Sequence, residues 1–214
     1  MAGDDMTSEE ELAQCGFPQG EEGRKVLAGM NDHHRERTAW GLSQLRGHPD
    51  MKIRNVLDIG CGGGNTLRML SASYPRAKCV GIDISETAVK MTLERNSVYH
   101  RLGNLDAIVA SADRIPFPDG TFDVITAVET YFFWPDLEKG IAEAASKLKE
   151  GGMMLIIAEA YFEKDISEMA DSDWASKVHL VSNGEMVSLM EKAGLKAEAV
   201  TNPDKHWVVF TGRK

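Results

Sequence analysis

Residues 56–65 read VLDIGCGGGN, an apolar stretch that runs straight into four glycines in five positions. Val56, Leu57 and Ile59 suit a buried strand, and the residues after Asn65 suit a helix. A chain lacking Cβ atoms at such a junction can turn tightly and lay its backbone against a ligand. A strand that enters a helix through a glycine loop is the signature of parallel α/β architectures. This stretch therefore constrains the fold more than any other.

The rest of the chain continues the alternation. Leu67, Met69 and Leu70 mark a helix that must stop before Pro75, and Cys79 to Asp83 reads as a second strand. Ser85 is placed to cap the next helix, with Glu86 in its first turn, where the helix dipole favours negative charge. Third, fourth and fifth strands are expected over Ala107–Ala110, Phe122–Val128 and Met153–Ala158. Asp136 is expected to cap a helix running to Lys149 and ending at Gly151-Gly152. Short apolar strands alternating with helices call for a parallel sheet covered on both faces.

The two ends behave differently. Ser182-Asn183-Gly184-Glu185 is a capping box that opens a helix closing at Gly194. Lys196–Val200 and Trp207–Thr211 then follow with no helix between them, so the sheet should end in an antiparallel pair. The first 22 residues or so are acidic, read as a short helix or a loosely held tail. From Gly23 to Leu45, Leu27, Met30, His34, Thr38, Leu42 and Leu45 recur at steps of three and four on one helical stripe. Asn31-Asp32 is expected to break this stripe, with Asp32 capping the second helix. Residues 1–50 thus read as an acidic tail and capping helices, and 51–214 as one globular unit.

Charge and cysteine content narrow the partners. A net charge of −9 argues against a nucleic-acid backbone, whose binding rests on Lys and Arg. Cys15, Cys61 and Cys79 are odd in number and lack metal-type spacing. Cys61 and Cys79 fall in or beside apolar strands, as reduced core thiols do. Adjacent His33 and His34 cannot converge on one metal from a helix, so no metal site is expected. The N-terminus lacks the apolar core of a secretion signal, and the longest apolar run, Met153–Ala158, is far short of the ~20 residues of a membrane span. A cytoplasmic protein without membrane association, monomeric or homodimeric, is the expectation.

Two kinds of cofactor use such a glycine loop. One places a dinucleotide pyrophosphate on it, with the pattern G-x-G-x-x-G. Counted from Gly60 or Gly62, the third glycine is missing, since Asn65 and Leu67 stand there. The sequence offers instead Asp58-x-Gly60-x-Gly62-x-Gly64, and Asp83 lies at the end of the second strand, where a carboxylate can accept both hydroxyls of a ribose.

VLDIGCGGG, VGIDIS, SADRIPFPDGTFDVITA and LKEGGMMLI, in this order, resemble the motifs of class I S-adenosylmethionine-dependent methyltransferases of the small, type 11 kind. The resemblance covers roughly residues 25–212. Glu150 stands where that family usually has proline, far from the cofactor. The fold it implies is Rossmann-like and doubly wound, with a mostly parallel seven-stranded sheet, an antiparallel C-terminal strand and N-terminal capping helices. The resemblance implies that S-adenosylmethionine is the methyl donor and S-adenosylhomocysteine the product. Gly60, Cys61, Gly62 and Gly64 would let the loop approach the donor. Asp58 would order that loop and help to hold the ammonium, and Asp83 with Ser85 beside it would take the ribose. Ile84 would flank the adenine, and Ala112, Asp113 and Arg114 would meet its edge, with Asp113 accepting from the exocyclic amine.

Methyl transfer from a sulfonium needs alignment and exclusion of water more than a dedicated catalytic group. Two segments are candidates for the acceptor side. Glu129-Thr130-Tyr131-Phe132-Phe133-Trp134-Pro135 follows the fourth strand, beside the expected position of the methyl group. Glu129 and Tyr131 are expected to face the pocket, and Phe132, Phe133 and Trp134 either wall it or staple the next helix to the core. Met30-Asn31-Asp32-His33-His34 with Trp40-Gly41-Leu42 resembles a pattern in small microbial members whose N-terminal helices cap the cleft. His34 would face inward as base or orienting group, and Met30 would touch the donor. Residues 161–181 suit a lid or a plain connection. A small-molecule acceptor is expected. The alternatives are a protein that binds the cofactor without catalysis and a nicotinamide-dependent oxidoreductase.

Overall fold

The computed structural model describes residues 8–159, 178 and 180–214. The stretch 161–181 therefore lies almost wholly outside the described residues, as do residues 1–7. Strands β1 (Asn55–Ile59), β2 (Lys78–Asp83), β3 (Leu105–Val109), β4 (Phe122–Val128), β5 (Leu148–Ala158), β6 (Lys196–Asn202) and β7 (Trp207–Arg213) form a single sheet in the order β3-β2-β1-β4-β5-β7-β6. β1 pairs in parallel with both β2 and β4, and β2–β3 and β4–β5 are also parallel. β7 is antiparallel to both its neighbours, β5 and β6. The chain winds outward from β1 in both directions, and the resulting crevice beyond the strand ends is where ligands of doubly wound sheets bind.

Alternation along each strand sends successive side chains to opposite faces. Leu57, Ile125, Met154 and Ile156 pack on the face covered by α7 (Leu137–Lys147) and α8 (Asn183–Lys192), with Ile141, Met186 and Met190. Val56, Val124, Leu155 and Ile157 pack on the other face, with Leu67 and Leu70 of α4 (Asn65–Ser73) and Val89 of α5 (Glu86–Arg95). Capping follows the sequence signals. Ser85 Oγ accepts from the Ala88 amide, Asp136 caps α7 through the Lys139 amide, and Ser182 and Glu185 form the reciprocal capping box of α8.

Several boundaries differ from expectation, and β6 and β7 each run two residues longer. β3 begins two residues earlier, at Leu105, because Leu105 is buried against β2 while Ala110 has left the ladder. α7 stops at Lys147 and β5 starts at Leu148, which pairs with Phe122 before an irregularity that places Gly151 at φ 74°. Asp32 caps nothing. The N-terminal segment forms α1 (Ser8–Gly16), α2 (Gly20–His33) and α3 (Arg35–Leu42), and α2 passes into α3 through His34, with helical backbone and no side-chain cap. The break costs little because the His34 amide still bonds to Met30 and the Thr38 amide to His34. A short α6 (Ser97–Arg101) completes the α-helices among the described residues. No described helix is long and apolar enough to cross a membrane.

Candidate active site

The glycine loop is shaped by β2. The Gly60 and Cys61 amides donate to the Ile82 carbonyl at 2.8 and 3.0 Å, and the Gly62 amide donates to Asp83 Oδ2 at 2.9 Å. Asp83 Oδ1 accepts from the Ser85 amide at 2.9 Å. One carboxylate at the end of β2 thereby orders the loop and stands at the cleft. Burial pushes its pKa up, against the amide bonds to Ser85 and Gly62 that pull it down. Gly60 must be glycine twice over: φ is 68°, and a Cβ there would lie 2.2 Å from Thr130 Oγ1.

The cleft opens beyond β1, β2 and β4. Its floor is Gly60, Cys61, Gly62 and Gly63, one wall is Asp83, Ile84 and Ala110 to Ala112, and the facing wall is Val128, Glu129, Thr130, Phe133, Trp134 and Pro135. Cys15, Leu27, Met30, Asn31, His34 and Thr38 close it from above. The helical stripe read from the sequence thus lines the cleft over its first four members. Ile84 is 43% exposed despite its apolar side chain, as a platform for a ligand ring would be.

Several expected site residues lie elsewhere. Asp58 is 1% exposed and does not line the cleft. It accepts from Thr126 Oγ1 at 2.7 Å across the β1–β4 pair, and burial pushes its carboxyl up to about 7. The acid that orders the loop is therefore Asp83, not Asp58. Asp113 turns toward α7, where its carboxylate accepts from Ser111 Oγ at 2.6 Å and from Lys139 Nζ at 3.2 Å, and both hold its pKa down. Ser85 is a buried helix cap whose hydroxyl also donates to the Pro18 carbonyl. Arg114 is exposed and closes a tight turn back to Ser111. Gly64 caps α4 from φ 78°, where a Cβ would meet Asn96 and Thr92 rather than the cleft. Tyr131 is fully buried in the core, which pushes its hydroxyl pKa up, and is not on the cleft wall.

Glu129 does line the cleft, at the end of β4, with a left-handed φ of 53°. Its Oε1 accepts from Arg37 Nη1 and, at 2.5 Å, from the Glu159 amide, and Arg37 Nη2 reaches Glu159 Oε2 at 2.8 Å. The Arg37 and Glu129 side chains are 3% and 10% exposed. Burial raises the Glu129 carboxyl to about 7, opposed by Arg37 and the Glu159 amide. His34 is pushed down to about 4 by burial, Arg37 and His33, so its imidazole is neutral at pH 7. Trp134 lines the cleft at 4% exposure, with an indole N–H that has no hydrogen-bond partner among the described residues.

Sequence reasoning missed Arg37 and Glu159, because no local pattern signals a pair that forms only when α3 meets the ends of β4 and β5. It also passed over Gly63, where a Cβ would lie 2.0 Å from Asn31 Nδ2. That glycine was legible as part of the run, but its purpose was not.

Residues 56–152 match the methyltransferase-domain family. Over 126 residues the chain is 29% identical to a phthiotriol/phenolphthiotriol dimycocerosates methyltransferase of Mycobacterium ulcerans, covering 59% of this chain and 42% of that one. It is 29% identical to a fatty-acid O-methyltransferase of Mycolicibacterium smegmatis over 147 residues, 67% of this chain and 52% of that one. The chain thus spans about half the length of these curated relatives. Its fold superposes on a SAM-dependent methyltransferase of Aquifex aeolicus with a TM-score of 0.68 at 21% identity, covering 88% of this chain and 97% of that one.

Proposed function

We propose a donor, an acceptor class and residue roles for this chain, which carries a methyltransferase domain of the class I, Rossmann-like kind. The donor is S-adenosylmethionine and the acceptor a small molecule. The observation that carries the reading is the charge of the cleft. Among the described residues its lining includes two carboxylates, Asp83 and Glu129, and neither lysine nor arginine, while His34 is neutral at pH 7. A dinucleotide pyrophosphate would meet no cation there. A sulfonium cation suits it.

Asp83 accepts from the Gly62 and Ser85 amides and is the carboxylate placed at the cleft to take ribose hydroxyls. Ile84 gives the adenine an apolar face, Ala112 lies at its edge, and the Gly60–Gly63 backbone takes the amino-acid end, with Met30 above. Asp58, Ser85, Asp113, Arg114 and Gly64 shape the strands, turns and helix ends around the site.

When bound, the donor would supply a methyl group activated by its sulfonium, to which the acceptor's lone pair bonds as the C–S electron pair stays on sulfur. The chain's own task is to align the acceptor and exclude water. The α1–α3 cap does the second through Leu27, Met30 and His34. Thr38, Glu129, Phe133 and Trp134 surround the space left for the acceptor. Neutral His34 can accept a hydrogen bond from it but carries no charge to offer an anion.

The reading is tested by calorimetric titration of the full chain with S-adenosylmethionine, S-adenosylhomocysteine and NADH, on wild type and Asp83→Ala. Micromolar binding of both adenosyl compounds, lost in the variant, is the expected result. NADH binding, or no binding of the adenosyl compounds, sinks it.

A further inference from the structure

Arg37, Glu129 and Glu159 form a cluster of one cation and two carboxylates at the edge of the cleft, one positive charge short of balance. Oε1 of Glu129 takes both Arg37 and the Glu159 amide. Oε2 takes neither, and among the described residues no donor reaches it, although Glu129 lines the cleft. The Glu129 side chain is 10% exposed, so Oε2 is the carboxylate oxygen left to accept from a ligand, and the left-handed φ of 53° at Glu129 is a backbone conformation that residues with a side chain rarely adopt.

We propose that the acceptor is a small amine, which enters as an ammonium ion and docks on Oε2 of Glu129, completing a two-cation, two-anion cluster. The inference rests on the methyltransferase reading above and deepens it. Before transfer, one ammonium proton passes to Glu129 Oε2. The nitrogen lone pair then forms the N–CH3 bond as the C–S bond breaks, and its electron pair returns to sulfur as S-adenosylhomocysteine. The methylated amine keeps the positive charge, and Glu129 later releases its proton to water. A raised affinity of Glu129 for protons, set by burial against the pull of Arg37 and the Glu159 amide, supports this exchange. Among the described residues the titratable neighbours are Arg37 and His34 on the cap side, Glu159 after β5 and Tyr131 behind the loop, and of these His34 is already neutral. A carboxylate acceptor would meet Glu129 with no free cation in the lining among the described residues.

The test uses the full chain and three probes on one skeleton, 2-phenylethylamine, 2-phenylethanol and phenylacetate, titrated into the S-adenosylhomocysteine complex at pH 7.5. Binding of S-adenosylhomocysteine is read first, and its absence overturns the methyltransferase reading and this inference with it. With that complex formed, the amine is expected to bind about tenfold or more tightly than either isostere, as a charge-assisted hydrogen bond implies. Glu129→Gln should abolish the preference. Glu159→Gln, at a side chain 46% exposed, keeps Glu129 and should reduce the preference severalfold, so the idea stays testable if Glu129→Gln folds poorly. No preference for the amine, whether an isostere binds as well or none of the three binds, overturns the inference, as does a preference that survives Glu129→Gln.

Discussion

The side-chain amide of Asn31 donates to the carbonyl of Gly63 at 3.3 Å, at a loop position where any Cβ would lie 2.0 Å from that same amide nitrogen. The contact joins the cap to the glycine loop. Asn31 is 7% exposed, so a collision cannot be relieved by swinging it into solvent. Gly63→Ala is therefore expected to push α2 off the loop. Thermal unfolding should show a loss of about 1–3 kcal/mol, the usual cost of overpacking a tight contact. Limited proteolysis should cut the segment 8–42 faster than in wild type. An unchanged cleavage rate in that segment would show that the cap does not depend on this contact.

Arg37→Met tests the second cap contact. Removing one partner of a buried pair leaves the other charge uncompensated, at a cost of about 3–5 kcal/mol. The loss should be larger at pH 8 than at pH 5.5, because Glu129, with its carboxyl already raised to about 7, can stay protonated at the lower pH. Adding Glu129→Gln should recover much of the stability. Equal losses at both pH values would mean that Arg37 acts through packing alone.

Asp58→Asn separates a structural acid from a site acid. The Asp58 pKa stands at about 7 in the fold, against 3.8 for the unperturbed group. A raised carboxyl pKa means that the folded state binds more protons than the unfolded one between these values, so its contribution to stability falls as pH rises through that window. The penalty is absent below pH 3.8 and complete above pH 7. Asparagine can still accept from Thr126 but carries no charge. Melting curves should show a gain on the order of 2–4 kcal/mol at pH 8, shrinking toward zero near pH 4. A lower melting temperature at pH 8 would show that the carboxylate is needed in its ionised form.

Trp134→Phe keeps an aromatic ring against Gly140, where the indole's six-membered ring packs closely, and removes the N–H that has no partner among the described residues, together with the rest of the pyrrole ring. A buried unpaired donor costs about 1–3 kcal/mol, and its removal offsets the packing lost with the pyrrole ring, so the ligand-free variant should stay close to wild type in stability. Ligand binding should weaken about fivefold, and calorimetry with S-adenosylhomocysteine and then with an acceptor would show which ligand takes the bond. Reduced stability with both affinities intact would make the indole N–H a bystander.

The sequence by itself determined the sheet and the loop. Alternating apolar strands and capped helices leave few arrangements other than a doubly wound sheet, and the helix-less last strands leave little but an antiparallel edge. These are local or periodic signals, and they were read correctly from Val56–Asn65, Ser85, Asp136 and the Ser182–Glu185 box. The stripe through Leu27, Met30, His34 and Thr38 was equally legible. Tertiary structure decided which polar groups face the cleft. Asp58 and Asp83 look alike in sequence, each an acid at a strand end, yet one lies between β1 and β4 and the other holds the loop. The difference is set by register against β4 and by the Gly62 and Ser85 amides, and neither is a property of a short segment. Asp113 turned to Lys139 because α7 brought a cation beside it, and Tyr131 went inward because a short helical turn over Tyr131–Phe133 directs it into the core. Arg37, Glu129 and Glu159 come from three segments far apart in the chain. Their contact exists only where the cap meets the sheet, and burial there removes the water that would otherwise solvate Arg37 and Glu129 separately.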